Sequence, residues 1–272
     1  MERISAPKRL LAIGDIHGYR DKLCRLLNKV QPGSDDQVVF LGDYIDRGPQ
    51  SRQVIEELLS FRRSYPETVF LRGNHEQMLL DALAFEDLRA DRVPHEARER
   101  MRRELEARLW TLSCSTYLPE LQHVFRSNGG GTTLESYGGY GSIPEEHRTF
   151  FEELLLMHRV TPSCCSQEGA PFYQPKEFVF VHAGIRPKVP LERQDPMDLL
   201  WIREDFTASN ARFGGRVIVH GHTRNSRVPG KAPQRICVDS GVDWSGPVHP
   251  RSRKTWGKLT CCDVLTREIW QA

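Results

Sequence analysis

The sequence predicts an α/β fold. Short apolar runs end in glycine-containing turns, helical patterns separate the first three of them, and that order gives two βαβ units. The runs are LLAIGD (10–15), QVVFLGD (37–43), TVFLRGN (68–74), FVFVHAG (178–184), RVIVHGH (216–222) and RICVDSG (235–241). Continuous apolar runs of this length, bounded by turn residues, are the pattern of buried strands. Between the first and second, Leu23, Leu26, Leu27 and Val30 recur at helical spacing. Between the second and third, Val54, Ile55, Leu58, Leu59 and Phe61 do the same. Two βαβ units imply parallel strands with right-handed crossovers. Residues at the carboxyl ends of such strands lie where open α/β sheets place their ligands.

The middle of the chain has another character. Residues 76–112 are predicted helical and carry EARERMRRELEAR at 96–108, a charged helical insertion. Glu96–Arg100, Glu99–Arg103 and Glu104–Arg108 are i,i+4 pairs with the acid first, the favourable order. Interleaved acids and arginines predict a solvated helix face rather than a basic surface for anions. The glycine-rich stretch SNGGGTTLESYGGYGS at 127–142 fits no phosphate-binding loop and predicts a flexible connection. Residues 161–177 hold three prolines and predict a surface loop, and KLTCCDVLTREIWQA predicts two closing strands. No repeat or linker divides the 272 residues, so a single domain is expected.

Bulk properties narrow the function. Apolar residues make up 39% and charged residues 27%, enough for a sizeable core. Lys plus Arg number 38 against 36 Asp plus Glu, a net charge of +2, which argues against duplex nucleic acid as a partner. No stretch approaches the roughly 18 apolar residues of a membrane helix. The start runs into a strand without a leader-like apolar region, so a cytoplasmic location is expected. Seven cysteines without a CxxC pair predict neither a disulfide framework nor a zinc cluster.

Five strand ends carry possible metal ligands: Asp15 and His17 in GDIHG, Asp43 and Asp46 in GDYIDRG, Asn74 and His75 in RGNHE, His182 in VHAG, and His222 in GHT. Oxygen and imidazole donors suit borderline divalent ions such as manganese, iron or zinc. A lone buried histidine is more often a core residue than a ligand, and any one of these pieces is weak. Five in order at strand ends are hard to explain as packing.

This series resembles the phosphoprotein phosphatase family of calcineurin-like metallophosphoesterases, in particular its bacterial serine/threonine phosphatase branch. The resemblance runs from about residue 10 to about residue 246 and takes in NGGGTTLESYG, LLWIREDF and VDSGVDWSG. It implies a two-sheet β-sandwich flanked by helices. It also implies two divalent ions, manganese first among them. Asp15, His17 and Asp43 would hold one; Asp43, Asn74, His182 and His222 the other, with Asp43 between them. His220, two residues before His222, is the rival ligand, and the GHT pattern points to His222. Arg47 and Arg203 resemble the family's phosphate-binding arginines, with Asn74 also facing the phosphate; Arg72 is expected to be structural. His75, oriented by Asp46, is the implied general acid.

The physics suits that set. Two divalent ions against the two carboxylates of Asp15 and Asp43 leave positive charge to attract a phosphate dianion. Metal binding lowers the pKa of water from about 15.7 to near 7, which supplies a bridging hydroxide for direct attack. The resemblance implies phosphoserine and phosphothreonine in proteins as substrates. Dinucleoside polyphosphates, nucleotides or polyphosphate form the second reading, and an arginine-rich rim would favour it. A catalytically dead binding module is the third; an intact set of ligands, acid and arginines speaks against it.

Overall fold

The computed structural model describes residues 7–113, 115–161, 175–225, 227–230, 232–245 and 256–272. In chain order its elements are β1 (Leu10–Ile13), α1 (Arg20–Val30), β2 (Gln37–Phe40), α2 (Ser51–Ser64), β3 (Val69–Phe70), α3 (Asn74–Arg89), α4 (His95–Ser113), α5 (Glu120–Phe125), α6 (Gly131–Tyr137), α7 (Glu145–Glu152), β4 (Met157–Val160), β5 (Glu177–Val181), α8 (Pro196–Trp201), α9 (Glu204–Thr207), β6 (Arg216–His220), β7 (Arg235–Cys237), β8 (Thr260–Asp263) and β9 (Ile269–Gln271). All six predicted strands and both predicted βα crossovers form, and the tail supplies β8 and β9.

Two sheets result. The first has the order β3-β2-β1-β8-β9, parallel on the β1 to β3 side and antiparallel where β8 and β9 close it. The second has the order β4-β5-β6-β7, with only β4 antiparallel. Strand side chains alternate between faces, and the core clusters show where each face goes. Leu10, Ala12, Val39 and Leu41 pack with Phe178, Phe180, Val217, Val219 and Ile236, so the sheets lie face to face. Leu11, Ile13, Val38 and Phe40 point the other way, onto Leu23, Leu26, Val54 and Leu58 of α1 and α2. Val179, Val181 and Ile218 meet Leu199 of α8, Ile202 just after it and Phe206 of α9. The chain is thus a helix–sheet–sheet–helix sandwich. No helix among the described residues is long and apolar enough to cross a membrane.

Three expectations are corrected. The segment 76–112 is two helices, α3 and α4, because Pro94 cannot donate to a preceding turn and Asp91 sits at φ 61°. On α4 only Glu99–Arg103 forms as expected, at 2.9 Å; Arg100–Glu104 and Arg102–Glu106 take the opposite order, and Arg108 leaves Glu104 for Asp81 of α3. The glycine-rich stretch is not a flexible connection. Arg126–Gly130 forms a turn kinked at Gly129 (φ 104°) that runs into α6, and Gly130 lies where a Cβ would come within 2.6 Å of the Phe125 ring. Most of the expected loop at 161–177 lies outside the described residues. Cys261 and Cys262, adjacent on β8, face opposite core layers, and burial pushes the Cys262 thiol up to about 12. Burial of this kind is the setting of structural rather than reactive thiols. Cys114, Cys164 and Cys165 lie outside the described residues.

Candidate active site

The loops after β1, β2, β5 and β6 and the first turn of α3 converge at one end of the sandwich. Asp43 is at their centre. Its carboxylate lies 3.4 Å from His182 Nε2, 3.6 Å from His17 Nε2 and 3.8 Å from His75 Nε2. It also accepts the backbone N–H of His75 at 3.2 Å, at the start of α3, where the helix dipole favours an anion. His17 Nδ1 lies 3.0 Å from the Ile45 carbonyl and His182 Nδ1 lies 2.8 Å from that of Leu41. A carbonyl can only accept, so both Nδ1 atoms carry hydrogen. In its neutral form each ring then aims an Nε2 lone pair inward, and the bond at Nδ1 is the usual outer support of a metal-binding histidine.

His222 lies with His182 and Asp43, and His17 with His75 and Asp43; within each trio the possible donor atoms are no more than 4.8 Å apart. Asn74 Oδ1 is 3.0 Å from His182 Nε2. Asp15 joins from β1 and accepts the His222 backbone N–H, at 3.2 Å to the nearer oxygen. Gly221 makes that approach feasible, since a Cβ there would fall 2.2 Å from Asp15 Oδ1. All six residues expected as metal ligands are buried. His17, Asp43, His182 and His222 fall in the two trios, Asn74 lies against His182 and Asp15 against the His222 backbone, while His75 rather than Asp15 completes the trio with His17 and Asp43.

The donor chemistry fits divalent ions. His222 Nε2 is buried with no hydrogen-bond partner, a cost that a Lewis acid would relieve. Burial, then Asp239 and Asp43, push Asp15 well above the usual carboxylate range. Burial also opposes ionisation of Asp43, but His182 and His75 outweigh it and hold its carboxyl well below that range. His17 and His222 are pushed well below their ordinary value, mainly by burial, and are neutral, the ligand form. Against its own burial, His182 is raised to about 9 by Asp43 and then Asp15. A proton on His182 thus supplies positive charge that a metal ion would replace on binding.

His220 stands apart. Its Nδ1 faces the Gly221 carbonyl at 3.1 Å, its ring meets Phe206 edge-on, and burial pushes it down to about 4. The chain leaves β6 at Gly221 and His222 turns at φ 59°, so spacing of two does not put both rings in the site.

Beside these donors sits a buried histidine–aspartate pair. His75 Nδ1 is 2.6 Å from Asp46 Oδ2, and both residues are fully buried or nearly so. Burial opposes protonation of His75, yet Asp43 and Asp46 raise it above its ordinary value. Arg47 places one Nη 2.7 Å from His17 Nε2 and the other 3.1 Å from His75 Nε2, and Asp243 lies 3.5 Å behind it. An arginine only donates, so Arg47 and a proton compete for His75 Nε2. Arg203 enters from the other side, bonded to the His222 carbonyl at 3.3 Å. It lines a cleft of about 580 Å³ with Trp201, Arg186, Asn128, Thr111 and Leu112. Arg72 is structural, bonded to Gln77 and the Glu152 carbonyl.

Three supporting residues escape a sequence-only reading. Glu76 accepts the N–H groups of Asp43, Tyr44 and Gly73 at 2.8–2.9 Å and so ties the second motif to the third. Burial and Asp43 raise it to about 7. Thr133 bonds to Asp46, and Asp243 bridges Arg47 and Arg224. Glu76 lay in view within RGNHE; nothing local distinguishes the other two.

Fold and site together define a metal-dependent hydrolase of the phosphoesterase class. A family model described as calcineurin-like phosphoesterase matches residues 8–247, and the chain belongs to that family. Over 68 residues it is 44% identical to the serine/threonine-protein phosphatase PP1-delta of Caenorhabditis elegans; the match spans 25% of this chain and 22% of that protein's length. Among solved structures, a candidate diadenosine tetraphosphatase superposes with a TM-score of 0.57 at 19% identity, covering 98% of this chain and 95% of the other. A cold-active protein tyrosine phosphatase gives 0.52 at 16% identity, covering 97% and 78%. At these identities the two structures share the fold.

Proposed function

We propose that this chain hydrolyses phosphomonoesters, with phosphoserine and phosphothreonine side chains of proteins as its main substrates. The observation that carries the reading is the buried Asp46–His75 pair at 2.6 Å beside Arg47. A poor alkoxide leaving group needs a proton, and this pair is built to give one. Asp15, His17 and Asp43 would hold one divalent ion, and Asp43, Asn74, His182 and His222 a second, with manganese the leading candidate and iron or zinc the alternatives. When bound, the ions supply Lewis acidity and a water acidic enough to ionise near neutral pH. Arg47 and Arg203 hold the non-bridging phosphate oxygens, to which a planar guanidinium is matched. As Arg47 turns to the phosphate it frees His75 Nε2 to carry the proton for the leaving oxygen. Asp46 stabilises the charged ring. The cleft beyond Arg203 receives the rest of the substrate.

The anhydride reading draws on the likeness to the candidate diadenosine tetraphosphatase and on an arginine-rich rim. The rim argues against it. On α4, Arg98, Arg100, Arg102, Arg103 and Arg108 each pair with a carboxylate. Arg186 in the cleft pairs with Asp198 and Asp205. Among the described residues only Arg203 in the cleft lacks a carboxylate partner, one cation rather than a row of them for a run of phosphates. In the presence of manganese, a phosphothreonine peptide should be turned over with kcat/KM at least about tenfold above diadenosine tetraphosphate and tripolyphosphate, a difference of about 1.4 kcal/mol. Faster hydrolysis of either anhydride would overturn the substrate assignment.

A further inference from the structure

The glycine-rich stretch has a role in the site that its composition does not suggest. Asp46 and Arg47, the partner of the acid and the phosphate arginine of the proposed function, are adjacent, and both have positive φ, 73° and 67°. Side chains other than glycine rarely adopt this conformation, and it persists only where surrounding contacts impose it. Here the contacts come from Gly129, Thr133 and Ser51, whose Oγ also accepts the Asp46 N–H at 3.1 Å. The Arg47 N–H donates to the Gly129 carbonyl at 3.2 Å. Gly129 itself has φ 104°, and a Cβ on it would meet Arg47 Cγ at 2.9 Å. The Asp46 N–H lies 2.9 Å from Thr133 Oγ1, and Thr133 Oγ1 lies 2.6 Å from Asp46 Oδ1.

The direction of each hydrogen follows. A carboxylate only accepts, so the Thr133 hydroxyl donates to Asp46 Oδ1 and uses its one hydrogen there. The Ser51 hydroxyl, 2.9 Å away, must then donate to Thr133. Asp46 Oδ2 takes His75 and Oδ1 takes Thr133; the residue is fully buried, and its carboxylate has no other side-chain partner among the described residues. Burial pushes Asp46 up, and the bonds from His75 and Thr133 oppose it.

We infer that Thr133 is a positioning residue of the reaction, which holds Asp46 in its strained conformation so that Asp46 can align His75 against the leaving oxygen. This rests on the acid role given to His75 above. A residue of this kind matters most when the leaving group needs its proton. Thr133→Val keeps the shape and removes the hydroxyl; Thr133→Ser keeps the hydroxyl. For Thr133→Val, kcat on a phosphothreonine peptide should fall by about 10²-fold, the low end of general-acid effects. Its KM should change little, kcat on nitrophenyl phosphate should fall by less than about tenfold, and metal content should stay level with the wild type. Thr133→Ser should recover most of the loss. Equal losses on both esters, or no recovery in Thr133→Ser, would overturn the assignment. Should Thr133→Val not fold, Thr133→Ala, which leaves space for a water to donate to Asp46, is assayed instead under the same criterion. His75→Asn is the control. If it too loses equally on both esters, the acid role fails and takes this inference with it. If it is selective and the Thr133 variant is not, only this inference fails.

Discussion

Asp43 is the residue on which the others depend. One buried carboxylate faces three imidazoles within 3.8 Å and accepts the first turn of α3, so its charge organises both trios of donors. Asp43→Asn keeps the shape and removes the charge. Both ions should be lost together, with activity falling below about 10⁻³ of wild type, because Lewis acidity and water activation go with them. Metal analysis of the purified variant checks this, and normal turnover with two bound ions would sink the central role. The donors themselves were legible in the sequence because each sits in a short motif at a strand end. Glu76 was visible but not interpretable. Its function is to gather the N–H groups of Asp43, Tyr44 and Gly73, a geometry no spacing encodes.

At the scale of elements, the helical insertion is fastened to the site from behind. Asp81 of α3 is buried, and its partners are Arg108 of α4 and Gln77, which also binds Arg72. The same α3 carries Asn74, His75 and Glu76 in its first turn. Arg108→Met leaves a buried carboxylate without its cation and should destabilise the fold by roughly 1–3 kcal/mol. Arg103→Met removes an exposed i,i+4 pair and should change stability by less than about 0.5 kcal/mol. Urea unfolding of the two variants makes the comparison, and equal effects would refute the tether. Sequence patterning assigned Arg108 to Glu104 because helical spacing sees only its own helix. A partner 27 positions away is decided by how α4 packs on α3 through Leu105 and Leu109. The glycine-rich stretch was misread for a related reason. Its glycines serve close approach to Arg47 and Phe125, and composition alone reads them as freedom.

For the whole molecule, the site is also a joint between the two sheets. Asp15, His17 and Asp43 follow strands of the first, and His182 and His222 follow strands of the second. Periodicity in the sequence disclosed the βαβ units, but not that β5 to β7 form a separate sheet; only the family resemblance implied the sandwich. Ions held across this joint, as proposed, would bind the native state and not the unfolded chain. Each site filled at about 100 times its Kd adds about 2.7 kcal/mol. For a chain of this size that corresponds to a rise in Tm of roughly 5–10 °C per ion, at roughly 2–4 °C per kcal/mol. Protons compete with the ions, since Asp15 and His182 are both held above their ordinary values and must be deprotonated to bind. The rise should therefore be larger at pH 7 than at pH 5. Melting the protein with chelator and with manganese at both pH values measures it. His222→Ala, which removes a donor from the second sheet, should lose about half of the rise at pH 7. A Tm indifferent to manganese would mean that the joint holds without ions, and that the carboxylates and the unpartnered His222 nitrogen are stabilised in another way.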